Sequence, residues 1–347
     1  MINVLIVEDS RVVQQFLVYV LSSDPEIRVI GTTNNGEEAL EFLKREKPDV
    51  ITMDIHMPRM DGFETTRKVM AACPTPIVIV SGSVQPNEVS TTFRAIEAGA
   101  LAVVPRPSGL GHPEYERSAR TLIQTVKAMS EVKVVRRWRR ASSPNSADPV
   151  ADVKKGPDAV EIVAIGASTG GPVALQALLS GLASDFSAPI VIVQHMTAGF
   201  MVGFVQWLAQ SSSLPVQVAS HGQQAQPGHV YLAPDSLQMS VDSGCRIVLS
   251  NDEPENGLRP SVSYLFRSVA NRFGKNAVGV LLTGMGKDGA EELKLMKDKG
   301  AATIAQDKDS SVVHGMPGAA IQLGGASYVL PSDRIAGALA RLVGRKV

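Results

Sequence analysis

The run from Ile162 to Pro172, Ile-Val-Ala-Ile-Gly-Ala-Ser-Thr-Gly-Gly-Pro, constrains the fold more than any other stretch of the chain. Its first four residues are apolar and mostly β-branched, and they read as a buried strand. Gly166-Ala-Ser168-Thr-Gly170 then permits a turn tighter than most side chains allow, and Pro172 suits the first turn of a helix. A serine at such a strand–turn–helix joint is lifted off the carboxyl edge of the sheet, beside the unpaired N–H groups that begin the helix. That placement presents a nucleophile. A phosphate-binding glycine turn of Rossmann type is the competing reading, but Ser168 stands where that fingerprint needs its second glycine.

A serine nucleophile needs a base, and the base needs a group to orient it. A second apolar run, Pro189-Ile-Val-Ile-Val-Gln194, delivers His195 at its carboxyl end. A third, Val278-Gly-Val-Leu-Leu-Thr283, enters a glycine-rich loop that carries Met285 and Asp288. In an open parallel sheet these ends meet along one edge, where ligands bind. Taken singly, His195 is a strand-end histidine capping a carbonyl and Asp288 an N-cap ahead of Gly289-Ala-Glu-Glu-Leu. Their convergence with Ser168 from three strand ends points instead to a Ser-His-Asp triad. The order Ser…His…Asp matches no familiar triad order, but a triad is defined by geometry.

The first 129 residues carry a different pattern. Val4-Leu-Ile-Val7 leads into Glu8-Asp9, Asp49-Val-Ile-Thr-Met53 into Asp54, and Ile77-Val-Ile-Val80 into Ser81. Between the first two lies a helical spacing at Val12, Val13, Phe16, Leu17, Val20 and Leu21. Strands alternating with helices predict a doubly wound parallel sheet, with Glu8, Asp9 and Asp54 together at its carboxyl edge. Three carboxylates in one crevice repel one another unless they share a hard cation, and oxygen-only ligation suits Mg²⁺. A flavodoxin-like sheet with acidic loop ends and no such ion is the plainer alternative.

Two families match these motifs. Gly-Ala-Ser168-Thr-Gly-Gly-Pro, Gln-His195-Met, Val-Tyr231-Leu-Ala-Pro, Arg259-Pro-Ser-Val, Thr-Gly-Met285-Gly-Lys-Asp288-Gly-Ala and Val-Val-His-Gly315-Met-Pro resemble the chemoreceptor glutamate methylesterase domain of bacterial chemotaxis. The resemblance covers most of residues 158–347. It implies hydrolysis of receptor glutamate methyl esters and deamidation of receptor glutamines, with Ser168, His195 and Asp288 as the triad and no cofactor for the esterase reaction. The main-chain N–H of Thr169 is an oxyanion donor by its place after the nucleophile, and the resemblance suggests that of Met285 as the second. Residues 1–129, down to Met53-Asp54-Ile-His56-Met-Pro-Arg-Met-Asp-Gly62, resemble a two-component receiver domain. By that match Asp54 accepts the phosphoryl group from a histidine kinase. Glu8, Asp9 and Asp54 hold Mg²⁺ with the main-chain carbonyl of His56, and Ser81 bonds the phosphoryl group.

The chain departs from both patterns in places. Receivers end their fifth strand with Lys-Pro, whereas this one reads Val104-Pro-Arg106-Pro. An ammonium is a compact point charge and a guanidinium a wide planar fork, so Arg106 neutralises charge but bears on how the signal is passed on. Val103 stands where an aromatic switch residue is usual. In the second domain His221-Gly-Gln replaces an acidic residue, glycine and glutamate, and Ser311 replaces a cysteine, which touches the shape of the cleft rather than its chemistry.

At 347 residues a single core is improbable, and 44% hydrophobic content suffices for two. The expected architecture is α/β throughout: a flavodoxin-like receiver over 1–129, a linker over 130–157 and a doubly wound, mainly parallel hydrolytic domain over 158–347. Zero net charge gives no reason to expect nucleic acid as a partner. Two distant cysteines, Cys73 and Cys245, offer no disulfide framework and fit a reducing cytosol. The chain starts at once with a strand, leaving no room for a signal peptide. No apolar run reaches the ~18 residues of a spanning helix. A cytoplasmic, monomeric enzyme is expected. Ala141-Ser-Ser-Pro-Asn-Ser-Ala-Asp-Pro149 reads as a flexible linker. Before it, Lys133-Val-Val-Arg-Arg-Trp138-Arg-Arg140 reads either as a solvated helix end or as a grip for an acidic peptide, a membrane surface or nucleic acid. Two other functions stay open: a receiver-containing binding regulator with altered or lost phospho-switching, and a small-molecule esterase.

Overall fold

The short apolar runs become the central strands of two separate parallel sheets. A computed structural model describes residues 1–82, 93–132, 134 and 160–344. Contacts divide the chain into two units, Met1–Ser143 and Pro144–Val347. The proline-bearing linker and the basic cluster around Trp138 lie outside the described residues.

In the first unit the strands are β1 (Ile2–Val7), β2 (Ile27–Thr33), β3 (Val50–Met53), β4 (Ile77–Ser81) and β5 (Ala102–Pro105). They pair in parallel in the order β2-β1-β3-β4-β5. All four residues of β3 and all five of β4 are buried, as expected of strands covered on both faces. The chain leaves β1 for β2 on one side and returns to β3 on the other. The crevice therefore opens at the carboxyl ends of β1 and β3, where Glu8 and Asp54 sit. The helix Arg11–Ser22 matches its apolar spacing except at one position. Val12 is 77% exposed, and Gln14 is buried instead. The amide of Gln14 donates to the carbonyls of Glu8 and Thr33; the second also accepts the Glu8 N–H, but an apolar side chain would leave the first unpaired.

In the second unit β6 (Ile162–Ala167), β7 (Ile190–Gln194), β8 (Val216–Val218), β9 (Val230–Leu232), β12 (Ala277–Leu281), β13 (Ala302–Gln306) and β14 (Tyr328–Leu330) form one sheet. Its order is β14-β13-β12-β6-β7-β9-β8, parallel throughout. A hairpin of β10 (Gln238–Val241) and β11 (Ile247–Ser250) is the antiparallel addition. β6 is buried along its whole length, with β7 on one side and β12 on the other. The strand order reverses there, so the crevice of this sheet opens beside the end of β6. The helix Val262–Phe273 buries Val262, Leu265, Phe266, Val269, Ala270 and Phe273 against the core, one face at three- and four-residue spacing.

Candidate active site

The turn after β6 keeps its shape through its glycines. Gly170 precedes the helix Gly171–Ser180 at φ 78°, a left-handed conformation that disfavours side chains, and Pro172 occupies the first helical turn. The turn is closed by Gly171 N–H donating to the carbonyl of Ser168 at 2.8 Å. Ser168 sits half-buried at its tip, and its N–H donates to the carbonyl of Thr283 at 3.0 Å.

His195 follows the last register pair of β6 and β7, Ala167 with Gln194, and its N–H donates to the carbonyl of Ala167 at 2.9 Å. Gln194 was not singled out by its sequence, yet its buried amide donates to the carbonyls of both Ser168 (2.9 Å) and His195 (2.7 Å). Those two carbonyls lie where the ladder between the strands ends, and the side-chain amide stands in for the missing rung. The Gln194 Oε1 is buried without a partner.

Asp288 lies across β6 from this strand end, 4% exposed. Its Oδ2 is 3.0 Å from the Nε2 of His195, out of line for a straight hydrogen bond from the ring. That leaves Nδ1 as the ring nitrogen open to a second partner. The carboxylate does not cap the helix that follows it, Ala290–Asp298, whose N-cap is Gly289. It accepts from the N-terminus of the helix Val262–Phe273 instead. The donors are the Ser261 hydroxyl (2.9 Å), the Val262 N–H (2.7 Å) and the Ser263 N–H (3.1 Å). Burial works against the anion, but His195 and these donors outweigh it and hold the carboxyl down at about 2. Ser261 and Ser263 went unread in the sequence because they lie 27 and 25 residues from Asp288.

The main-chain N–H groups of Thr169 and Met285 have no protein acceptor among the described residues. Gly284, between Thr283 and Met285, has no room for a side chain. A Cβ there would come within 2.8 Å of the Ser168 Cβ and 2.3 Å of the Met316 sulfur. The glycine loop therefore runs directly against the serine. Ser168, His195, Asp288, Thr169 and Met285 are all brought to the crevice, though no hydrogen bond links the Ser168 hydroxyl to the His195 ring. Of the departures in this unit, Ser311 donates to the carbonyl of Asp307 at 2.6 Å, and His221 holds the main chain of Leu249.

In the first unit one carboxylate oxygen from each of Glu8, Asp9 and Asp54 lies within 4.8 Å of the others. Burial, and secondarily the Asp54 charge, pushes the Glu8 carboxyl up to about 7. Burial likewise raises Asp54. An all-oxygen cluster that resists its own ionisation is a fit for a hard dication. Among the described residues the His56 carbonyl accepts no hydrogen bond, which leaves it open as a further ligand. Ser81 ends β4 on the same edge and is buried. Arg106, following β5, directs its Nη2 to Glu8 Oε2 at 3.2 Å. Its guanidinium pairs with Glu8 while its charge also acts to lower Asp54, a pairing the sequence alone did not indicate.

Residues 163–339 match the CheB methylesterase family model. The chain belongs to that family. Residues 4–112 match the response regulator receiver domain. A protein-glutamate methylesterase/protein-glutamine glutaminase of Nitrosospira multiformis is 60% identical over 100% of this chain and 98% of its own. One from Syntrophus aciditrophicus is 57% identical over 99% of each. The CheB methylesterase catalytic domain of Thermotoga maritima is 38% identical, covering 52% of this chain and 96% of that domain with a TM-score of 0.50. The methylesterase architecture and the receiver are thus joined in one α/β chain of this family, and no described helix is long and apolar enough to cross a membrane.

Proposed function

We propose that this CheB-family chain is a cytoplasmic hydrolase of glutamate methyl esters on chemoreceptors, a deamidase of their glutamines, and an enzyme controlled by phosphorylation of its receiver. The observation that carries the reading is the His195–Asp288 pair beside the turn that bears Ser168, with two unengaged N–H groups, of Thr169 and Met285, on either loop.

The Ser168 Oγ attacks the ester carbonyl as its proton passes to Nδ1 of His195. The oxyanion settles on the N–H groups of Thr169 and Met285, each worth ~10²–10³ in rate. Asp288 holds the Nε2 proton and offsets the charge of the imidazolium. Collapse of the tetrahedral adduct breaks the bond to methoxide, which takes the proton from His195 and leaves as methanol. Water then attacks the acyl-serine, giving up one proton to His195, and the serine leaves with a proton returned by the ring. With a glutamine the same sequence releases ammonia. No cofactor enters the ester chemistry.

In the receiver, the carboxylates of Glu8, Asp9 and Asp54 and the His56 carbonyl would hold Mg²⁺, which supplies the positive charge that lets a phosphoryl group approach Asp54. A histidine kinase is the donor, Ser81 a hydrogen-bond partner of the phosphoryl group and Arg106 a further cation. Because Arg106 is engaged by Glu8, coupling between phosphorylation and esterase activity is expected to differ from that of a lysine-bearing receiver. The test is methanol release from methylated chemoreceptor membranes, with and without a small-molecule phosphodonor. Turnover that survives in Ser168→Ala refutes the reading; turnover of short activated esters with none on receptors favours a small-molecule esterase.

A further inference from the structure

Thr283 is 1% exposed, and its carbonyl and hydroxyl are both committed to the loops around Ser168. Its carbonyl accepts from Ser168 N–H at 3.0 Å. Its hydroxyl lies 2.8 Å from the carbonyl of Thr169 and 3.1 Å from that of Val313, and it accepts from the Val313 N–H at 2.9 Å. One hydroxyl proton serves one acceptor at a time, and the shorter approach is to Thr169. Its own N–H donates to the buried Gln306 side chain at 2.8 Å.

The reason for this arrangement is where the sheet ladder ends. Past Leu282 the chain leaves β6, and the N–H of Gly284 turns to the carbonyl of Val313 at 2.9 Å. The carbonyl of Thr169 would then be left without a partner, and the Thr283 hydroxyl takes it. Thr283 thus grips the Ser168–Thr169 segment at both ends, at the Ser168 N–H and the Thr169 carbonyl, and leaves only the Thr169 N–H between them free. Two residues further along the same chain is the N–H of Met285.

We infer that Thr283 is a positioning residue that sets the Thr169 and Met285 N–H groups in register around one oxyanion. The inference rests on the triad and oxyanion reading proposed above. The Thr283 hydroxyl touches no reacting atom; it acts by holding the peptide whose N–H does. Donors aimed at charge that exists only in the transition state affect kcat and leave ground-state binding alone.

The experiment measures methanol release by the full chain from methylated chemoreceptor membranes, with rates expressed per serine titrated by an organophosphonate. Thr283→Val, which keeps shape and removes the hydroxyl, is expected to lower kcat roughly 10- to 100-fold with KM within about twofold. Thr283→Ser is expected to recover kcat to within roughly threefold of the parent, since it restores the hydrogen bonds. A Thr283→Val kcat within about twofold of the parent, or a loss confined to KM, overturns the inference. If Thr283→Val yields no folded protein, Thr283→Cys, a weaker donor of similar size, replaces it. A Cys variant slower in kcat than Ser supports the inference, and equal values overturn it. Ser168→Ala runs alongside. An active Ser168→Ala removes the underlying reading, whereas an inactive one with an unimpaired Thr283→Val removes only the role of Thr283.

Discussion

Replacing Asp288 with asparagine removes a charge and almost none of its bulk. In the parent, Oδ1 accepts from the Ser261 hydroxyl and the Ser263 N–H, while Oδ2 accepts from the Val262 N–H and faces His195. An amide has one oxygen. If that oxygen keeps Ser261 and Ser263, the NH₂ group points at the Val262 N–H and at Nε2. The ring must then accept there, which moves its proton to Nδ1 and disables it as a base for Ser168. A wrong tautomer of this kind costs on the order of 10⁴ in kcat. The stability change follows from the carboxyl itself, held at about 2 against an ordinary 3.8. At about 1.4 kcal/mol per pKa unit, the folded state favours the anion over the neutral acid by about 2 kcal/mol. The folded value lies below the unfolded one, so this stabilisation is in place above pH ~4 and fades as pH falls toward ~2. Asparagine lacks it at every pH. Urea unfolding of the catalytic unit, followed by the buried Trp207 with Trp138 changed to Phe, should therefore show a deficit near neutrality that shrinks in acid. Wild-type turnover in Asp288→Asn, or a deficit of the same size at about pH 7 and about pH 3, refutes the reasoning.

Ser168→Ala should abolish methanol release while shifting the unfolding midpoint little, because the hydroxyl holds no structural hydrogen bond among the described residues; more than a few per cent residual kcat argues against the assignment. Gly284→Ala should both destabilise the catalytic unit, by about 1–3 kcal/mol for overpacking, and slow turnover, since its methyl would press on Ser168 and Met316; calorimetry and kcat check the two effects separately. Asp54→Ala should eliminate ³²P incorporation from a labelled phosphodonor and any stimulation, with basal turnover intact; label retained in the variant moves the acceptor elsewhere. Arg106→Lys should enlarge the stimulation by phosphodonor, and an unchanged response in that variant would mean that the pairing with Glu8 does not govern coupling.

Much of the molecule is legible in one dimension. β6, β7 and β12 are continuous β-branched or leucine-rich runs because a parallel sheet covered on both faces buries every residue of its strands. Each run ends in residues too polar or too small to continue it, and so Ser168, His195 and the Asp288 loop announce themselves. The same rule places Glu8 and Asp54 at one edge of the first sheet. Period alone misreads Val12 and Gln14, because an amide that pairs two strand-end carbonyls is worth more in that buried place than a methyl group.

What the sequence by itself determined is which strands exist, which side chains lie at their carboxyl ends and hence which chemistry is assembled there. Only the tertiary structure decided what holds those side chains in place. The anion of Asp288 is fixed by the start of a helix more than twenty residues earlier. The turn that bears Ser168 is tied down by Gln194 and Thr283, and Arg106 lies against Glu8. None of these follows from spacing, because each hydrogen bond or ion pair joins segments whose proximity is created by the order of the strands. A strand is written in consecutive residues, whereas its ordering in a sheet is settled by packing across the whole core, and these supporting contacts follow from that order.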